Sequence, residues 1–137
     1  LASWTKSADD GVRFFSGIGT YRKTVHAPAA WFKAGAEQWL DLGDVRELAE
    51  VSINGKDLGV VWREPYEVNV TGALRPGRND IVVKVANTWV NRLIGDQQPD
   101  VTRPVTFSLT NPYAATTALP DSGLLGPVRV TQRTMSP

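Results

Sequence analysis

At 137 residues the chain is of ordinary size for one domain, long enough to bury a real core. Fifteen basic and fourteen acidic residues leave a charge of +1 with no basic block, which argues against a nucleic-acid partner. Apolar runs of only a few residues exclude a membrane-spanning helix, and no cysteine with a single histidine, His26, leaves neither disulfides nor the usual zinc site.

In chain order, the opening Leu1-Ala2-Ser3-Trp4 has neither Met nor a signal peptide, which suggests a piece of a longer protein and leaves the compartment unread. Asp9, Asp10 and Gly11 suit a turn, and residues 12–15 form a short apolar run expected as a strand. Ser16, Gly17 and Gly19 let the backbone bend. Tyr21, Lys23 and Val25 then alternate with Arg22, Thr24 and His26 until Pro28, which cannot donate to a ladder. Residues 38–42 make the next strand, with Leu40 and Leu42 inward by parity and Trp39 on the opposite face. Gly43 breaks it, and residues 44–50 hold the one plausible helical turn of this half.

The central stretch, 49–92, organises the rest. Ala49, Val51 and Ile53 alternate with polar residues, the period of a half-buried strand. Asn54-Gly55 tolerates the positive φ angles of a tight hairpin turn, and 58–62 return. Tyr66, Val68 and Val70 mark a third strand, Arg75 to Asn79 a turn built on Pro76 and Gly77, and Ile81, Val83 and Val85 a fourth. The expectation is that these four strands pair in sequence within one sheet. Residues 93–104 read as a long loop, Val105, Phe107 and Leu109 as a further strand, 111–126 as irregular, and 127–133 as a closing strand with Val128 and Val130 inward.

Eight or nine short strands without a long amphipathic helix imply an all-β domain. The expected form is a two-sheet antiparallel β-sandwich over residues 1–137. Its expected core is Leu40, Leu42, Val51, Ile53, Val68, Val70, Ile81, Val83, Val85, Phe107 and Val128.

The runs SGIGTYRKTV (16–25), LDLGDV (40–45), VSINGKDLG (51–59) and WREPYEVNVTGALRPGRNDIVVKVANTW (62–89) together resemble the sugar-binding, galactose-binding-like jelly roll of family 2 glycoside hydrolases. NTWVNRLIGDQ (87–97) and SGLLGPVRV (122–130) are similar to the C-terminal sandwich of family 106 α-L-rhamnosidases. The resemblance covers roughly 3–133. It implies a non-catalytic accessory domain, a C-terminal fragment of a larger hydrolase, whose partner is a catalytic barrel elsewhere in the protein. A barrel needs about 250 residues, so none fits here. No catalytic residue of the family has a counterpart in this chain, and no cofactor is implied. A structural calcium suits such sandwiches, but nothing matches a dedicated calcium loop.

Two polar-aromatic segments carry the composition that binds sugars, aromatic faces beside amides and guanidinium groups. One holds Trp62, Arg63 and Tyr66, the other Asn87, Trp89, Asn91 and Arg92. Both are expected at one end of the sandwich, contacting a neighbouring domain or a rhamnose-containing glycan, with the loop at 93–104 over them. The competing reading is that Trp62 and Trp89 close the core, with Arg63 and Arg92 paired to Glu64 or Asp96. Trp4, Trp31 and Trp39 are weaker candidates. Asp41, Asp44, Glu50, Asp57, Glu67 and Asp80 fall at turns or outward positions, which suits solvation better than a glycosidase pair. An autonomous carbohydrate-binding module is the alternative function, and an interaction domain without sugar contact the third.

Overall fold

The computed structural model describes residues 1–134. Among these residues nine strands and two short α-helices follow in order: α1 (Asp10–Arg13), β1 (Ile18–Ala27), β2 (Ala36–Asp41), β3 (Asp44–Arg46), β4 (Leu48–Ile53), β5 (Lys56–Val61), β6 (Glu67–Asn69), β7 (Gly77–Ala86), α2 (Val90–Gly95), β8 (Gly123–Gly126) and β9 (Arg129–Thr134). One sheet has the order β1-β7-β4-β5 and a second β6-β2-β9, with β3 and β8 as a separate pair; every pairing is antiparallel.

Alternation places the core between the sheets. Val51 and Ile53 on β4 and Val83 and Val85 on β7 meet Leu40 and Val68 of the facing sheet, with Leu42 and Val70 just beyond its strand ends. All are under one-tenth exposed. The Asn54-Gly55 turn has φ of 52° and 79°, as its hairpin requires. At Gly43 a side chain would meet the Gly126 carbonyl carbon at 2.5 Å, so glycine there lets β3 start against β8.

Several sequence expectations are corrected. Residues 12–15 are not a strand: Asp9 accepts a hydrogen bond from Gly11 N at 2.7 Å and caps the helical turn α1. Residues 44–50 hold strands rather than a helical turn, because β8 arrives from far along the chain to pair with β3. The third strand of the central stretch, β6, leaves its neighbours and joins β2, while β7 inserts between β1 and β4. Alternation specifies an inward face but is the same in either sheet, so it cannot assign the partner.

The loop expected at 93–104 begins inside α2, and the irregular stretch 111–126 ends in β8. Val105, Phe107 and Leu109 form no strand; they are 73%, 93% and 93% exposed, so Phe107 is not core. Their alternation has no ladder partner among the described residues, and the segment is held instead through Asp96. Val128 is also outside the core, at 37% exposed, one residue before β9 begins, whereas Val130 packs against it.

Candidate interaction face

The register brings the two polar-aromatic segments to one end of the four-stranded sheet. Ala49 lies opposite both Val85 and Val61, so the chain leaves β7 toward Asn87 and β5 toward Trp62 at the same end, two strands apart. Two inter-strand spacings amount to about 10 Å. The pairing that achieves this differs from the expected one, since β4 rather than β6 stands between them.

The candidate residues divide into two groups. Trp62 and Trp89 are 68% and 64% exposed and close no core, which overturns the plugging alternative. Arg63 lies over the Trp62 ring, 5.7 Å from its centroid, and is exposed. This pair offers an aromatic face with directional donors beside it.

Tyr66, Asn87, Asn91 and Arg92 face inward or are held by the framework. The Tyr66 hydroxyl donates to Glu47 O at 3.2 Å, and burial, followed by the nearby Glu47 charge, pushes its pKa up. Asn87 accepts from Gly17 N at 2.9 Å and donates to Phe15 O at 2.8 Å, pinning the approach to β1. Asn91 is 1% exposed and donates to Pro120 O and Ser122 Oγ. Arg92 pairs with Asp96 at 3.1 Å, as the competing reading held for that residue.

Sequence reasoning passed over Asp96 except as that partner. Its carboxylate also accepts from Val105 N, Thr106 N and Thr106 Oγ1, which ties the 105–106 backbone to the end of α2. Burial opposes its ionisation, but these hydrogen bonds and Arg92 outweigh burial and hold its pKa below the usual carboxylate range. The excursion after α2 is thereby fastened to that helix, reinforced by Asn111 donating to Leu93 O at 2.8 Å, and it leaves Trp62 and Trp89 exposed.

Between the two segments lies an apolar row. Ala86 is opposite Ile18 on one side and Leu48 on the other, and Trp62 follows one step beyond the Ala49–Val61 pair. Ile18, Leu48 and Trp62 are exposed, as is Val60 next to Trp62 on β5. The row crosses all four strands on the outer face.

The weaker tryptophans are accounted for locally. Trp4 donates to the Tyr21 hydroxyl at 2.6 Å, and Trp31 packs against the core. Trp39 lies on the outer face, as parity predicts, with Arg133 4.3 Å above its ring. Among the outward carboxylates, Glu67 is held by Arg133 and Glu50 by Lys84. Thr24 donates to Asp80, which holds that exposed carboxyl below its usual range. Among the described residues no group of three or more acidic or histidine side chains is placed to hold a metal.

Two facing antiparallel sheets, with long-range strand order and an exposed aromatic end, define a galactose-binding-like β-sandwich domain. Residues 17–117 match the family described as glycosyl hydrolase 2 galactose-binding domain-like, and the chain belongs to that family. Over 95% of its length it is 36% identical to a putative beta-glucuronidase of Formosa agariphila, of which it spans 13%. It superposes on the rhamnosidase of Novosphingobium sp. PP1Y with a TM-score of 0.91 and 45% identity, covering 97% of this chain and 12% of that one. A beta-glucuronidase of Bifidobacterium dentium gives a TM-score of 0.55 at 28% identity, over 62% of this chain and 14% of that one. The chain thus spans only a small part of each relative.

Proposed function

We propose that this chain is a non-catalytic accessory domain of an α-L-rhamnosidase-type glycoside hydrolase, seated on its catalytic domain through the Trp62–Trp89 end. The observation that carries the reading is the exposed apolar row of Ile18, Leu48 and Trp62 across the outer sheet face, with Trp89 also exposed three residues beyond Ala86 at the end of β7. A contiguous apolar surface of this kind marks an interaction site. The 45% identity to the Novosphingobium rhamnosidase supports the rhamnosidase type, while the family 106 assignment rests on the resemblance of the sequence motifs alone. The Formosa relative, named a putative beta-glucuronidase, supports the hydrolase class alone.

The test introduces Leu48→Glu and Trp62→Ala into both the isolated chain and the full-length hydrolase. Both residues are exposed, so the isolated variants are expected to fold and melt within a few degrees of the parent. The full-length variants are expected to lose thermal stability or rhamnosidase activity. Unchanged full-length variants would remove this face from the interdomain contact.

A second reading, direct sugar binding, is favoured by the exposure of Trp62 and Trp89 and the guanidinium of Arg63 beside one ring. A single small sugar makes few contacts, so affinity near millimolar is expected. Titration calorimetry with rhamnose, galactose and rhamnose-containing oligosaccharides, on wild type and Trp89→Ala, decides it. Tight binding indifferent to Trp89→Ala would exclude this site.

A further inference from the structure

The side of the sandwich between β1 and β9 is open. A cavity of about 550 Å³ enters there and reaches core residues Leu40, Ile81, Val83 and Leu124 from outside. Both flanking strands are sheet edges: among the described residues β1 pairs only with β7, and β9 only with β2. In an antiparallel ladder alternate residues turn their N–H and C=O away from the partner. The ten-residue β1 therefore lays a row of unpaired backbone groups along an apolar cleft. Trp4 shields only its first part, lying against Gly19 and bonding Tyr21.

The rim is basic, with Arg22, Lys23 and Arg129 lining the opening. Lys23 shares the inward parity of Tyr21 and Val25 yet is exposed, as expected where the cleft stands open. A small apolar ligand would fill the volume but leave the edge row unpaired. A second copy pairing β1 with β1 would crowd Arg22 and Lys23 against like charges. An extended strand meets both demands at once, burying alternate side chains while its backbone pairs.

We propose that an extended segment of the longer hydrolase polypeptide, apolar on one face and carrying carboxylates toward the rim, lies in this cleft as an added strand beside β1. The proposal rests on reading the chain as one unit of a longer hydrolase. Polypeptide to supply the segment is plentiful in the relatives, of which this unit spans 12% and 13%.

The test compares amide hydrogen exchange in the 137-residue chain and in the full-length hydrolase. Alternate amides across 22–27 are expected to exchange freely in the chain and at least ~10-fold more slowly in the hydrolase, with β7 protected in both. Equal, fast exchange at 22–27 in both proteins would overturn the added strand and leave the domain reading standing. A gene encoding no further polypeptide would overturn both readings. Concentration-dependent protection in the chain alone would replace the proposed strand by a second copy.

Discussion

The side-chain amide of Asn91, on α2, donates to Ser122 Oγ at 2.7 Å, joining residues 31 positions apart in a buried contact. Ser122 Oγ also receives Asn87 at 3.1 Å, and Ser122 N donates to Ser3 Oγ at 3.1 Å. Asn91 therefore helps close the N-terminal segment, the end of β7 and the approach to β8 onto one another, rather than facing a ligand. Asn91→Ala removes the side-chain donor to Pro120 O and leaves Ser122 Oγ with Asn87 alone, at a cost of about 1–3 kcal/mol. Calorimetry should show a Tm lower by several degrees, and an unchanged Tm would mean this contact contributes little.

Asp96 should make stability depend on acid. Its folded pKa is depressed, so its contribution is complete above the ordinary carboxylate range and is lost as pH falls through the folded value. Its side chain is only 3% exposed, so solvent screens the Arg92 pair little. Asp96→Asn is expected to cost about 2–4 kcal/mol at neutral pH, with the gap to wild type narrowing on acidification. Urea midpoints at neutral pH and near pH ~3 measure this, the lower value lying below an unperturbed Asp. A gap that stays constant would show that the carboxylate charge is not what matters.

Val83 and Val60 test the parity of the four-stranded sheet. Val83 is 3% exposed at its centre, whereas Val60 is 53% exposed on the edge strand β5. Val83→Asp buries an unpaired charge at several kcal/mol, comparable to the ~5–15 kcal/mol that holds a domain together. It should abolish cooperative folding, while Val60→Asp should melt close to wild type. A soluble, cooperatively melting Val83→Asp protein would contradict the burial.

The isolated chain should release no nitrophenol from nitrophenyl rhamnoside or related glycosides. Several of its carboxylates are engaged elsewhere: Glu67 with Arg133, Asp96 with Arg92, and Asp41 accepting from Gly43 N. Activity that survives repurification and disappears with one Asp or Glu substitution would refute the non-catalytic reading.

What the sequence determined by itself is the set of inward faces. Leu40, Leu42, Val51, Ile53, Val83 and Val85 were identifiable because a strand repeats every two residues, and all are buried. The Asn54-Gly55 hairpin and the outward parity of Trp39 were legible for equally local reasons. Tertiary structure alone decided the partners. It sent β6 to β2 and β7 between β1 and β4, because alternation says which side chains turn inward and nothing about which strand lies alongside. It also separated exposed Trp62 and Trp89 from buried Asn91 within segments of the same composition, since burial depends on what arrives from Ser3 and Ser122, at the two far ends of the chain. Val105, Phe107 and Leu109 carry the pattern of a half-buried strand, but a strand exists only where a second backbone offers its hydrogen bonds, and none reaches them among the described residues.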